Sequence, residues 1–213
     1  MSIGNGVLEL VVLLVSVILH ENAHGVVALA LGDKTAKAAG RLTLNPVKHL
    51  DPLGSLLLPA FLYVVHAPVF GYAKPVPVSP RNLKGRDTWG FATVALAGPV
   101  CNLIIAAIAV ILVKHMRFSL DANGAPTGNL TASVLVFTFQ LNLLLAAFNL
   151  LPIPPLDGSR LLRPVVGIEG RRVLDRVEPF GFVILLLAIT VLGQPLFHLI
   201  DIIESGLLHL LPI

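Results

Sequence analysis

Long apolar runs, separated by short polar connections, dominate the pattern of this chain. A helix needs about 20 residues to cross the hydrocarbon core of a bilayer, and most of these runs reach that length. The pattern therefore predicts an all-α polytopic membrane protein with about five hydrophobic segments. The segments, called A to E in chain order, are residues 7–31, 53–70, 88–113, 130–151 and 179–200.

Segment B departs from this pattern because prolines interrupt it. It contains Pro59 and Pro68 and continues into the sequence GYAKPVPVSP, whose prolines lack backbone donors and favour extended geometry. Residues 40–46, GRLTLNP, alternate between polar and apolar side chains, as a short strand does. We therefore expect a small extended or β layer between the first and third segments. Segment B itself is either re-entrant or a full membrane span.

The composition supports a membrane protein and argues against other classes. Of 213 residues, 55% are hydrophobic and 13% are charged, and the mean hydropathy is +0.87. Soluble domains contain about 25% charged residues. A net charge of +3 is too small to indicate a nucleic-acid partner, and the single cysteine, Cys101, excludes an internal disulfide.

Lysine and arginine concentrate in the loops that follow segments A, B and D, at residues 34–48, 74–86 and 160–176. Positively charged loops of membrane proteins stay on the cytoplasmic side. If segment B is re-entrant, all three basic stretches are cytoplasmic and the amino terminus lies outside, which is the arrangement we favour. If segment B crosses fully, the basic stretches on its two sides lie on opposite faces of the membrane.

Segment A contains the sequence HENAH within its apolar run. Residues four apart share one face of a helix, so His20 and His24 can bind one metal ion while Glu21 lies beside it. Imidazole nitrogens suit Zn2+, and a catalytic zinc keeps an open position for water. At about 1.5 Å per residue, His20 lies roughly 15 Å into the segment. Ionisable residues at that depth cost about 2.5–3.5 kcal/mol to insert and mark functional sites.

A third metal ligand is expected from the sequence NLLPIPPLDGSR, which follows segment D. Its prolines break the helix, and irregular backbone at membrane depth requires surrounding protein or a watery cavity. Asp157 follows these prolines and can coordinate zinc through a carboxylate oxygen. Alternatively, Asp157 is a solvated turn residue that caps the next helix. With segment B re-entrant, segments A and D run in the same direction, which brings Asp157 to the half of segment A that contains His24.

Three motifs together resemble the site-2 protease family of intramembrane zinc metalloproteases. They are HENAH in segment A, ALAGPVCN in segment C and NLLPIPPLDG after segment D. The stretch FGYAKPVPV is similar to that of the short prokaryotic members without a PDZ domain, and the chain has no insertion long enough for such a domain. The resemblance extends over residues 8–163. Within the second motif, Gly98 and Pro99 are expected to allow close helix approach or a bend.

The resemblance implies a Zn2+ cofactor and assigns roles to individual residues. A single integral-membrane metalloprotease domain over residues 1–213 is expected. Glu21 would be the general base that takes a proton from zinc-bound water. The implied zinc ligands are His20, His24 and Asp157, and the implied contacts to substrate or oxyanion are Asn102 and Asn149.

The implied function is intramembrane endopeptidase activity on the transmembrane segments of other proteins, as in regulated intramembrane proteolysis. The implied location is the prokaryotic plasma (inner) membrane, with the lipid bilayer and membrane-protein substrates as partners. A homo-oligomer or a regulatory membrane partner is left open. Residues 74–78 would offer an edge to a substrate strand.

Two other functions use the same residues differently. Intramembrane histidines and carboxylates also mark ion pathways, so a transporter or channel with an intramembrane metal site is the main alternative. Its polar groups would form a chain across the bilayer, whereas those of this sequence converge on one metal geometry. A catalytically idle scaffold would lack Glu21 or a ligand, and neither is missing here.

Overall fold

The computed structural model describes residues 3–57, 61, 64, 73–84, 88–116 and 129–181, with isolated positions between 183 and 202. Most of segments B and E lies outside these residues, so the count of five segments stays a prediction. Among the residues described, the structure is mostly helical. Its helices are α1 (Ile3–Ala30), α2 (Thr35–Ala38), α3 (Thr88–Met116), α4 (Leu130–Asn149), α5 (Asp157–Leu162) and α6 (Ile168–Val177).

Three of these helices are long and apolar enough to cross a membrane: Gly6–Ala30 within α1, all of α3, and all of α4. They correspond to segments A, C and D, so these parts of the prediction are confirmed. The chain is therefore an integral membrane protein.

Local chemistry sets where the spans begin and end. Helix α1 ends at Ala30 and is followed by Gly32, whose φ of 100° lies in the left-handed region that glycine adopts without strain. The amide of the next residue, Asp33, then donates to the carbonyl of Ala28 at 2.9 Å. Helix α4 begins after Asn129, whose side chain accepts hydrogen bonds from the amides of Thr131 and Ala132 at 2.9 and 3.3 Å.

Helices α1 and α3 are antiparallel. Val94 near the start of α3 packs in a buried cluster with Ala28 near the end of α1. One turn further along α3, Gly98 lies against His20, which is earlier in α1. The start of α3 therefore lies beside the end of α1.

Helices α1 and α4 run in the same direction. Glu9 and Ser133, each near the start of its helix, line one small cavity. About two turns later in each helix, Ser16 accepts a hydrogen bond from the side-chain amide of Asn142 at 2.9 Å. The structure thus agrees with the prediction that segments A and D are parallel.

The connection from α1 to α3 leaves and returns at the same end of the helices. The amide of Lys84 donates to the carbonyl of Leu31 at 2.6 Å. Leu83 is buried with residues from both helices. Because the connection leaves and returns at the same end of the helices, it does not cross the membrane just once. This agrees with a re-entrant segment B. The path of residues 58–60 and 65–72, including His66, lies outside the described residues.

The short strand predicted over residues 40–46 is wrong. Gly40 has a φ of 63° and the following backbone forms turns, and Asn45 starts a 3₁₀ turn by accepting from the amide of Val47 at 3.1 Å. Side chains bind the Thr43 carbonyl, where a strand would need a backbone partner. Residues 73–79 have no regular secondary structure, and no strand occurs among the described residues, so the β layer is unconfirmed.

Candidate metal centre

Two histidines of α1 and one aspartate of α5 converge inside the protein. The Nε2 atoms of His20 and His24 lie 3.0 Å apart. The Oδ2 atom of Asp157 lies 3.2 Å from each of them. The three residues are only 5–6% exposed. The structure therefore brings together the three residues that were predicted as ligands, with their ligand atoms around one point.

The chemistry of these atoms fits a cation between them. The Nδ1 atom of His24 lies 2.7 Å from the carbonyl oxygen of Val94, and because a carbonyl only accepts, Nδ1 carries the proton. When His24 is neutral, this tautomer leaves the lone pair at Nε2, the atom that faces the carboxylate of Asp157. Acceptors at this separation repel each other unless a cation or proton is shared. A tetrahedral zinc separates such ligand atoms by about 3.3–3.5 Å, close to the triangle observed.

Gly98 of α3 makes room beside the two imidazoles. A β-carbon at this position would lie 2.5 Å from the Nε2 atoms of both His20 and His24. Any larger residue would therefore displace the histidines or fill the space between them. The predicted close helix approach at Gly98 is confirmed.

The chain after α4 folds back tightly to place Asp157. Leu156 is extended, and α5 begins at Asp157. A β-carbon at Gly158 would lie 2.2 and 2.3 Å from the carbonyl oxygens of Leu150 and Leu151, so only glycine allows this packing. The predicted proline-rich break therefore positions Asp157 against α1, and the alternative of a solvated turn residue is wrong, because the side chain is buried.

The two oxygens of Asp157 have different partners. Oδ2 faces the imidazoles, whereas Oδ1 accepts a hydrogen bond from Nη1 of Arg160 at 3.1 Å. Burial opposes ionisation, but the contacts with His20 and His24 hold the pKa of Asp157 well below its ordinary range. The carboxylate is therefore ionised at neutral pH.

Glu21 lies beside the cluster and is held by the backbone of a distant segment. Its Oε2 atom accepts a hydrogen bond from the amide of Val76 at 2.8 Å. Val76 stands between Pro75 and Pro77, which have no amide hydrogen. The amide of Val76 is thus the only backbone donor of this short stretch, and it is directed at Glu21.

We call residues 73–79 the strap, because this segment without regular secondary structure contacts Glu21 through Val76. One end is fixed by Arg41, whose guanidinium donates to the carbonyl of Lys74 at 2.7 Å, and by the carbonyl of His49, which accepts from the amide of Lys74 at 2.8 Å. At the other end, Asp33 accepts from the amide of Ser79 at 2.6 Å. The strap is therefore anchored on both sides of Val76.

Asp33 is the second buried aspartate near this site. It is 0% exposed and also accepts hydrogen bonds from Thr35 and from the side-chain amide of Asn82. Burial raises its pKa, but these bonds and the bond from Ser79 more than compensate, so the pKa of Asp33 lies below its ordinary value. Sequence reasoning missed Asp33, because no local pattern links it to Ser79.

Among the described residues, the two predicted asparagines make no hydrogen bond to the cluster that the structure shows. The amide nitrogen of Asn149 donates to the carbonyl of Leu145 within its own helix at 2.9 Å. Asn102 is 0% exposed and lies one turn beyond Gly98, and its amide atoms have no hydrogen-bond partner among the described residues. Their roles in substrate or oxyanion binding stay predictions.

Two histidines and a carboxylate around one space, beside a further glutamate on a membrane-spanning helix, are typical of membrane metalloproteases. The family model described as Peptidase family M50 matches residues 118–192. The chain is 41% identical over 186 residues to "Putative zinc metalloprotease YwhC" of Bacillus subtilis, a match covering 86% of this chain and 81% of that protein. It is 33% identical over 189 residues to "Putative zinc metalloprotease Rip2" of Mycolicibacterium smegmatis, covering 88% of this chain and 69% of that protein.

The chain therefore belongs to peptidase family M50, the site-2 protease family, and it is a zinc metalloprotease. The resemblance read from the three sequence motifs is confirmed, as is the Zn2+ cofactor. No solved structure matches the chain.

Proposed function

We propose that this protein is an intramembrane endopeptidase that cleaves the transmembrane segments of other membrane proteins, as in regulated intramembrane proteolysis. One observation carries the proposal. The ligand atoms of His20, His24 and Asp157 lie within 3.2 Å of one another on and beside a helix that can span a membrane. A metal site inside the membrane can act only on groups that enter the membrane, and the peptide bonds of membrane helices are such groups.

His20, His24 and Asp157 would hold the zinc, which leaves an open position for the reacting groups. When bound, zinc lowers the pKa of water and polarises a carbonyl group. His24 is oriented for this role because its Nδ1 donates to the carbonyl of Val94. The proposal also includes that residues 1–213 form a single integral-membrane metalloprotease domain.

Glu21 acts as the general base and then as the general acid. Its Oε2 atom is held by the amide of Val76, which leaves Oε1 to take a proton from the attacking water. The same carboxyl group then delivers the proton to the leaving amine. The fixed strap keeps the carboxylate beside the two histidines throughout.

The substrate must be extended when it is cut, because a helix shields its peptide bonds. The strap is rich in proline, which favours extended backbone, and it has no ladder partner among the described residues, so it would pair with an unwound substrate by strand addition. Asn102 and Asn149 are retained as contacts to the substrate or to the oxyanion. For Asn149, this role requires its amide to leave the carbonyl of Leu145.

The enzyme would lie in a prokaryotic plasma (inner) membrane with its basic loops in the cytoplasm. The metal cluster is near the end of α1 that precedes the basic residues 34–48. Cleavage would therefore occur in the cytoplasmic half of the bilayer. Homo-oligomerisation and a regulatory membrane partner remain open parts of this proposal.

The proposal is tested with purified protein and a synthetic transmembrane peptide, by locating cut sites with mass spectrometry. We expect cuts within the apolar stretch of the peptide. Glu21→Gln should reduce kcat by about 100-fold or more while bound zinc is unchanged, because only the proton transfer is lost. Glu9→Gln, a change of the same kind near the start of the same helix, should cleave like the wild type. Normal cleavage by Glu21→Gln, or cuts only outside the apolar stretch, would contradict the proposal.

A further inference from the structure

We propose that Arg160 is a positioning residue for the metal ligand Asp157. It holds one carboxylate oxygen so that the other alone faces the two imidazoles. This inference rests on the proposed function, because it assumes that Asp157 binds the zinc.

The contacts of Asp157 separate its two oxygens cleanly. Oδ2 lies 3.2 Å from both histidine Nε2 atoms, and Oδ1 accepts from Nη1 of Arg160 at 3.1 Å. The side chain of Asp157 is 6% exposed and that of Arg160 is 35% exposed. The carboxylate is thus buried between the cluster and a guanidinium that reaches it from the partly open side. A charge-assisted hydrogen bond of this kind fixes the rotation of the carboxylate.

Arg160 is itself anchored on α3. Its guanidinium lies 5.4 Å from the ring centroid of Phe91, a distance typical of a cation–π contact. Phe91 packs against the buried cluster that includes Val94. Val94 in turn accepts from Nδ1 of His24 at 2.7 Å. One turn of α3 therefore supports the orientation of two ligands, His24 directly and Asp157 through Arg160.

The neighbouring Arg163 offers a contrast within the same segment. Its guanidinium pairs with Asp175 at 2.7 Å and with Glu178 at 3.1 Å, and both carboxylates are more than half exposed. These contacts tie α5 to the chain around α6 and do not reach the cluster. A substitution of Arg163 therefore removes a similar charge from a nearby position without touching Asp157.

Replacement of Arg160 should reduce zinc affinity strongly and the thermal stability of the metal-free protein only slightly. Groups that orient metal ligands typically contribute about 10- to 100-fold to metal affinity. We expect Arg160→Met, which keeps an apolar stem for Phe91, to weaken zinc binding by about 10- to 100-fold. Arg160→Lys restores a donor without the planar fork, so its affinity should lie between those of Arg160→Met and the wild type. Arg163→Met should bind zinc like the wild type.

The experiment measures zinc affinity by chelator competition on the full chain in detergent. The visible spectrum of the cobalt-substituted protein is recorded as well. Its bands report ligand geometry, so a shift in Arg160→Met that is absent from Arg163→Met separates positioning from general destabilisation. Thermal melting of the metal-free variants checks their folding. If Arg160→Met does not fold, Arg160→Gln takes its place in the comparison.

Wild-type affinity and an unchanged cobalt spectrum in the Arg160 variant would overturn the inference. Asp157→Ala is measured in the same series to separate two failures. If Asp157→Ala also binds zinc like the wild type, the ligand assignment of the proposed function fails. If Asp157→Ala loses zinc and the Arg160 variant does not, only the role of Arg160 is wrong.

Discussion

Among the described residues, the two aspartates Asp157 and Asp33 are buried, and the atoms around each of them are of different kinds. The hydrogen bonds that Asp33 accepts come from backbone amides, a hydroxyl group and a side-chain amide. One oxygen of Asp157 faces two imidazole nitrogens that, together with it, could hold a metal ion. Asp33 is thus satisfied by donors of the protein, whereas Asp157 lies in a cluster of potential metal ligands.

The comparison shows that burial of a charge does not by itself mark a metal site. Both carboxylates have a pKa below the ordinary range, and both are held by several contacts. What distinguishes them is that one oxygen of Asp157 shares its space with two imidazole nitrogens that could bind a metal ion with it, whereas Asp33 has no such neighbours among its hydrogen-bond partners in the described residues. Asp33 joins the end of α1 to the strap and so supports the position of Glu21 indirectly, while Asp157 lies in the proposed metal site.

Removing each carboxylate in turn should separate metal binding from stability. We expect Asp157→Asn to weaken zinc binding by about 100-fold or more, because an amide is a poor zinc ligand. Asp33→Asn should keep the zinc content of the wild type. Zinc is measured by mass spectrometry after passage through chelator-treated buffer. The distinction between the two aspartates would be contradicted if Asp157→Asn kept the zinc content of the wild type. It would also be contradicted if Asp33→Asn lost zinc while it remained folded.

A smaller effect is expected where the strap meets Glu21. Val76→Pro removes the amide that binds Glu21 but suits the extended backbone between two prolines. We expect kcat to fall by about 10-fold with unchanged zinc content, since Glu21, the proposed general base, loses one hydrogen bond. Val76→Ala keeps the amide and controls for the lost packing of the buried side chain. Equal kcat values for the two variants would show that the amide has no role.

The smallest expected effect is a pH-dependent change in thermal stability when Asp33 is replaced. Its folded pKa lies below the ordinary value of 3.8, so its contribution to stability is present above that value and is lost as the pH falls through the lower folded pKa. Asp33→Asn should therefore lower the melting temperature most at neutral pH, at a cost on the order of 1–3 kcal/mol.

The difference between wild type and Asp33→Asn should shrink on acidification towards about pH 3. Asp175→Asn, whose carboxylate is exposed, serves as the matched control and should change the melting temperature much less. A wild-type minus Asp33→Asn difference that grows with acidification would show that the pKa of Asp33 is shifted in the other direction.

The sequence predicted the parts of the site that local spacing determines. The i, i+4 spacing placed His20 and His24 on one face, and the proline-rich break after segment D located Asp157. The parallel direction of segments A and D followed from the basic loops, and the structure agrees with it. These features depend on the chain near the residue concerned or on its charge distribution.

The remaining parts depend on contacts between distant segments, which leave no local pattern. The anchors of the strap join residues that are distant in the sequence, as in the bonds from Arg41 to Lys74 and from Ser79 to Asp33, which span 33 and 46 positions. The alternation at residues 40–46 suggested a strand, but side chains of Asn22 and His49 bind the Thr43 carbonyl that a ladder would need. Arg160 could have been found, since three residues after Asp157 on a helix is a position that faces it.

The most direct test of the central claim is zinc K-edge X-ray absorption of the purified wild-type protein, together with its zinc content. We predict one zinc per chain with nitrogen and oxygen ligands at about 2.0–2.2 Å, and with the outer-shell signal of two imidazoles. Replacing His24 with alanine should remove one imidazole from that signal or abolish binding. A sulfur ligand from Cys101, a single imidazole in the wild type, or the absence of zinc after reconstitution would contradict the assignment of His20, His24 and Asp157 as the metal site.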